Sequence, residues 1–270
     1  MHMTHPTIHY GKCALCRNDA ELQESHAIPD AIFRRLFSKG SGSAIVLDND
    51  PDQRIYQSQD SWADRLLCKA CESRLNVQYD IYGDQFSKGL AGIHSVKHES
   101  TRIEKIDKAQ LRMFFLSVVW RMGRSQAVGY GSVVLPATLD AAIAHCMLHN
   151  TALPRDFCTV RIWKFRESKE FADEKLEVTT PWMQHWNASP FVTIRAVEFV
   201  FAGYFVAVIF PGFPPQRITP EGILDDPHPT LTVPHLDPMD VPELLQLMVV
   251  TMDKHQRGHM TKSLRKKFGK

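Results

Sequence analysis

The sequence predicts an α+β protein in two parts, and three observations carry that prediction. Two Cys-x-x-Cys pairs, Cys13/Cys16 and Cys68/Cys71, bracket a short N-terminal region. The run from Asp107 to Met122 has the clearest helical periodicity in the chain. From Phe157 the period changes to the alternation of strands. Residues 1–100 are therefore read as a cysteine-bearing domain, and residues 101–270 as a mixed helical and antiparallel-β domain ending in a basic tail.

Taken in order, Tyr10–Leu15 predicts a short knuckle, with Gly11 and Cys13–Cys16 making its turn. Pro29 suits the first turn of a helix, where its missing N–H would have no partner anyway. Ile32, Phe33, Leu36 and Phe37 then share one face, and Lys39-Gly-Ser-Gly-Ser43 ends the helix. Ala44–Leu47 and Arg54–Ser58 read as a hairpin around the turn formers Asp48–Asp52. A helix is expected from about Cys71, carrying Glu72, Asn76 and Asp80 on one drifting stripe. Gly83 and Gly89–Gly92 argue against extending it.

In the second part, Asp107 and Gln110 have the spacing of a reciprocal helix cap. Leu111, Phe114, Phe115, Val118, Val119 and Met122 form the buried stripe, with Arg121, Arg124 and Trp120 assigned to the polar side or a contact surface. Leu139–Leu148 predicts a second helix capped by Thr138. Cys158–Phe165 predicts a strand. Phe191–Phe201 and Tyr204–Phe210 predict a hairpin turning at Ala202-Gly203 and stopped by Pro211–Pro215. Trp163, Trp182 and Trp186 read as core or hairpin-packing residues. Pro220–Pro238 reads as a connector, and a last helix begins at Asp240.

At 270 residues and 44% hydrophobic content, the chain can bury a sizeable core, so a metal would staple one region and not replace a core. The net charge of +2 excludes a protein drawn to polyanions by its overall field. Distribution says more, because from Lys254 onward there are seven Lys or Arg and no acidic residue. That tail reads equally as a nucleic-acid grip or a disordered end. No apolar run reaches bilayer length and no signal-peptide core is present, so a cytoplasmic protein with no membrane partner is expected. Six cysteines, four of them in pairs, fit a reducing compartment better than a disulfide framework, with Cys146 and Cys158 as buried free thiols. His2, His5 and His9 fall on an N-terminal end expected to be mobile.

Paired Cys-x-x-Cys turns each aim two sulfurs at one point, which is the pattern of a four-thiolate structural Zn2+ site at Cys13, Cys16, Cys68 and Cys71. The alternative is two unrelated pairs of buried or redox-active thiols. Between the pairs lies Ser25-His26-Ala27-Ile28-Pro29. A Cys-x-x-Cys, a His followed by Ile-Pro, and a Leu-Cys-x-x-Cys leading into a helix resemble the HNH endonuclease superfamily, in its zinc-stapled treble-clef (endonuclease VII-like) branch. The resemblance covers about residues 10–80. It implies a ββα-metal, treble-clef fold beside one catalytic divalent metal, and hydrolysis of phosphodiester bonds in DNA. The resemblance also suggests a bacterial or phage setting, such as defence against foreign DNA or mobile-element biology.

Carried over by position, the resemblance implies His26 as general base. It places Glu72 as ligand to a catalytic Mg2+ or Mn2+, with Asn76 or Asp80 assisting. The residue before the family's histidine is often a metal-ligating aspartate, and here it is Ser25. The residue after the last cysteine is often His or Asn, and here it is Glu72. The metal's charge partner would then have moved to the other side of the site; otherwise the site has decayed to a zinc-bearing binding or regulatory module. His26 could instead orient the knuckle, and Glu72 could equally complement the helix dipole. Arg34, Arg35, Arg65, Lys69 and Arg74 lie around the site as candidate phosphate contacts or ordinary surface cations. A homodimer or a protein partner would use the second part, with helices 107–122 and 240–253 as candidate faces; core packing explains those helices equally well.

Overall fold

A computed structural model describes residues 9–39, 42–47, 50, 52–166, 181–189, 192–212 and 220–268 of the chain. His2, His5, the Gly40-Ser41 helix stop, parts of the Asp48–Asp52 turn, residues 213–215 and the Trp186 side chain lie outside the described residues.

The N-terminal part is built on a three-stranded antiparallel sheet of β1 (Tyr10–Lys12), β2 (Asp19–His26) and β5 (Ala63–Cys68), with β2 in the centre. Gly11 is a strand residue packed against Leu22, and the left-handed position of the knuckle turn is Arg17, at φ 65°. Helix α1 (Asp30–Lys39) starts just after Pro29 and buries Ile32 and Phe33. The hairpin of β3 (Ala44–Val46) and β4 (Tyr56–Ser58) follows as the turn chemistry predicts.

From Cys68 the chain enters a helical run longer than the glycines suggested. α2 (Lys69–Leu75) passes through a π-helical segment (Asn76–Asp80) directly into α3 (Ile81–Ser87). Gly83 does not break this run because it serves packing. A Cβ there would sit 2.3 Å from a ring carbon of Phe114, so only glycine lets the two helices approach this closely.

The second part centres on α4 (Lys108–Arg124), in which every residue from Leu111 to Met122 is buried. The expected polar side therefore does not exist. Trp120 and Arg121 are interior, and the helix is core, with no free face for a partner. Asp107 caps α4 by accepting from Gln110 N at 2.9 Å, but the Gln110 amide donates to Gln78 O instead of closing a reciprocal cap. α5 (Ala137–His149) begins after Pro136, one residue before Thr138, with no side-chain cap.

A seven-stranded mixed sheet covers α4, in the order β6 (Ile93–Val96), β7 (Ser100–Glu104), β12 (Leu231–Leu236), β8 (Thr159–Phe165), β11 (Tyr204–Phe210), β10 (Val192–Phe201), β9 (Trp182–Ser189). The β10–β11 hairpin turns at Ala202-Gly203, both left-handed, as expected. The Pro220–Pro238 segment is not a plain connector, since it contains the interior strand β12. Its residues 231–234 pair with β7, and 235–236 with β8 in parallel. Pro234 thus stands where pairing changes partner, the position at which a missing N–H disturbs the ladder least.

Phe114 and Phe115 of α4 meet Phe201 of β10 at centroid separations of 5.3 and 5.6 Å, edge to face. One apolar cluster runs from Cys13 through α4 to Val233, so the paired cysteines and the large sheet share a core. α6 (Pro242–Gln256) and α7 (Lys262–Phe268) close the chain. Among the described residues no helix is long and apolar enough to cross a membrane.

Candidate metal centre and adjoining cleft

Cys13 and Cys16 sit on the β1–β2 turn, which is closed by Cys13 N donating to Asn18 O and Arg17 N donating to Cys13 O. Cys68 is the last residue of β5, and Cys71 falls in the first turn of α2. Pairing of β5 with β2 in the register Leu22↔Cys68 brings the second pair against the knuckle. All four sulfurs lie within 4.8 Å of one another. The Cys16 and Cys68 sulfurs are 3.8 Å apart, close to the ~3.8 Å edge of a tetrahedron with Zn–S bonds of about 2.3 Å. The four cysteines are positioned to bind one metal ion, and an all-thiolate tetrahedral donor set is consistent with structural zinc. Two independent redox pairs would need to lie apart, and these converge.

The local field already favours one thiolate. Burial alone would raise the Cys13 thiol, but the N–H groups of Cys68, Cys16 and Leu15 outweigh it and bring it down to about 7. Burial and the neighbouring sulfurs push Cys71 the other way. A bound cation removes that conflict, because coordinated thiols give up their protons. Cys146 and Cys158 are buried free thiols, with burial pushing Cys158 up to about 12.

Beside the cysteines opens a cleft of about 610 Å³ whose walls include His26, Asp30, Glu72, Asn76, Asp80 and Arg121. Three sequence-predicted stripe residues, Glu72, Asn76 and Asp80, therefore face one space with His26. The π segment contributes to this. Its wider turn sets back the drift that a pure α-helix accumulates over two steps of four residues.

His26 ends β2, and its Nε2 is 2.8 Å from Ser61 Oγ and 3.9 Å from Asp30 Oδ1. Ser61 and Asp30 thus face the same ring nitrogen. A serine nucleophile relay needs them on opposite nitrogens, so this is not an acyl-transfer triad. Ser25 is buried and donates its hydroxyl proton to Glu72 Oε2 at 2.7 Å, and Glu72 is half-buried in the first turn of α2.

Asp80 is committed elsewhere. Its two oxygens accept from Arg121 at 2.5 and 3.0 Å, and Arg121 also donates to the His26 carbonyl at 2.8 Å. The Asp80 carboxylate next to it, against the opposing effect of burial, holds the Arg121 guanidinium above its ordinary range. Arg121 therefore ties α4, the π segment and the β2–α1 junction into one unit. Sequence reasoning missed it. The available signal was an arginine inside an apolar helix, which burial obliges to find a carboxylate, as Arg112 also does with Asp225. Ser61 and Asp30 were also missed, and no local pattern marks them.

Of the candidate phosphate contacts, Arg34 pairs with Asp30 at 2.9 Å. Arg35 pairs with Asp84 and donates to Ser87 Oγ. Arg74 donates to Leu148 O at 2.6 Å, and Arg65 reaches Leu22 O at 3.5 Å. Lys69 is exposed at the start of α2.

No protein-family model, curated protein or solved structure matches this chain.

Proposed function

We propose that the chain is a metal-dependent phosphodiester hydrolase acting on DNA, with a treble-clef, HNH-type site in its N-terminal part. The observation that supports it best is the shared cleft. His26, Glu72 and Asn76 line one space directly beside a four-sulfur centre. Nε2 of His26 lies 2.8 Å from Ser61 Oγ; in the tautomer that donates from Nε2 to this hydroxyl, Nδ1 carries the lone pair that takes a proton from water. The water oxygen then bonds to phosphorus, and the phosphorus–oxygen bond to the leaving alkoxide breaks.

Carboxylate and amide oxygens suit a hard divalent ion, so Glu72 and Asn76 are the residues that would hold Mg2+ or Mn2+. Such an ion supplies charge neutralisation at the phosphate and at the leaving oxygen. Ser25 holds one Glu72 oxygen in place and leaves the other free of any described partner. Asp80, consumed by Arg121, is assigned a positioning role: it fixes the arginine that holds the His26 carbonyl.

A second reading, a zinc-bearing DNA-binding or regulatory module with a degenerate site, draws support from Ser25 standing where the family carries aspartate. Supercoiled plasmid incubated with Mg2+, Mn2+ or chelator separates the two. Metal-dependent nicking by the wild type that is lost in Glu72→Gln supports the enzyme. DNA binding without nicking in any metal supports the module.

A further inference from the structure

The cations that line the cleft already have carboxylates. Arg34 pairs with Asp30, Lys88 pairs with Asp84, and Arg121 pairs with Asp80. A polyanion approaching His26 meets neutralised side chains there. Charge not already paired with a carboxylate, which would hold its backbone, lies outside the cleft walls.

The C-terminal segment carries such charge. A seven-residue helix such as α7 is too short to be stable alone, so its docking is what fixes it. Ile55 N donates to His259 O at 3.2 Å, and Thr261 N donates to Ile55 O at 3.0 Å. Met260 and Leu264 bury against Ile55, and Ser263 Oγ reaches Gln57 Oε1 at 3.3 Å. The tail is thereby sewn onto the β3–β4 hairpin of the N-terminal part. Lys262, Arg265 and Lys266 remain exposed, and none forms an ion pair among the described residues. Arg54, next to Ile55, is exposed as well, and these cations outnumber the nearby Asp50 and Asp52.

Chain connectivity sets how far this patch lies from the cleft. Ile55 and Ser61 are separated by six residues, a reach of about 20 Å at full extension. Ser61 Oγ is in turn 2.8 Å from His26 Nε2. Phosphates along one duplex strand repeat every ~3.4 Å of axis. Ile55, where the tail docks, is therefore within about seven phosphates of one held at His26.

We infer that Arg54, Lys262, Arg265 and Lys266 form a backbone-binding track that seats duplex DNA across the cleft. The ligand's identity rests on the nuclease reading, and the test reads binding without cleavage so that the two can fail separately. Affinity of the full chain for a labelled 30-base-pair duplex is measured in chelator from about 50 to 200 mM salt. The comparison is Lys262→Gln/Arg265→Gln/Lys266→Gln, with Lys97→Gln on the β6–β7 hairpin as control. Zinc content and thermal melting report on folding.

The track predicts that the triple variant binds at least tenfold more weakly at the lowest salt. Its log K against log salt slope flattens by about 2 to 3, while the Lys97 variant keeps the wild-type slope. An unchanged slope in the triple variant overturns the track and leaves the nuclease reading standing. No binding by the wild type also overturns the track, and the nicking assay then decides the nuclease reading alone.

Discussion

The Ser25 hydroxyl donates a 2.7 Å hydrogen bond to Glu72 Oε2 across 47 positions of the chain. Ser25 is only 2% exposed, so its end of this contact is shielded from water, while Glu72 is half-buried. A serine cannot replace a ligating aspartate, but in the proposed site it would aim the carboxylate assigned to the metal. Hydrogen bonds to charged groups contribute about 1.5–3 kcal/mol. Ser25→Ala is expected to slow metal-dependent cleavage by roughly tenfold or more and to raise the Mn2+ concentration at half-maximal rate, with zinc content unchanged. A metal titration that superimposes on the wild type would show that Glu72 needs no such support.

The four-sulfur centre predicts one tightly held zinc per chain, and tetrahedral thiolate absorption bands when Co2+ is substituted. Cys68→Ser, which also removes the partner of the Cys16 sulfur, should lose the metal and make the first 75 residues sensitive to protease. Retention of a full zinc equivalent by that variant would refute a four-ligand site. Metal binding releases protons from thiols, so the metal should be lost as pH falls.

Arg121 and Asp80 form a buried ion pair, and removing one partner strands the other. Arg121→Met is expected to cost about 3–5 kcal/mol, measured by denaturant unfolding. The Asp80→Asn/Arg121→Met double variant should cost clearly less than the two singles added together. Strict additivity would mean that the two side chains do not act as a pair. Because Arg121 also holds the His26 carbonyl, the conservative Arg121→Lys should retain zinc but lower the cleavage rate with little change in duplex affinity.

Glu198 on β10 supplies a pH signature unrelated to the cleft. Burial raises its carboxyl from an ordinary 4.5 to about 7, with Trp182 Nε1 donating to it at 2.8 Å and Glu243 nearby. The folded state therefore binds this proton more tightly than the unfolded chain. Its contribution is fully present below about 4.5 and is lost as pH rises toward about 7. Glu198→Gln should flatten the decline of melting temperature over that window. An equally steep decline in the variant would assign the effect to other groups.

Much of the cysteine centre was legible, because each Cys-x-x-Cys is a local device whose spacing alone aims two sulfurs. The helices and hairpins built on local rules were legible too, including the Ala202-Gly203 turn and the β3–β4 hairpin. What the sequence concealed was set by tertiary contact. Gly83 looks like a helix breaker until Phe114 is seen against it. β12 hides behind its prolines because its neighbours β7 and β8 come from distant parts of the chain. Arg121 looks like surface charge because periodicity assumes that a helix has one buried face, and α4 is buried all round. Ser61 reaches His26 through a loop with no periodic pattern at all.

The most direct test of the nuclease account is His26→Ala beside the wild type, both zinc-loaded to one equivalent, in plasmid nicking with Mn2+. The account predicts a loss of at least a hundredfold in rate, consistent with removal of a general base, with zinc and DNA affinity retained and partial rescue by added imidazole. Nicking at the wild-type rate by the zinc-loaded variant would contradict it.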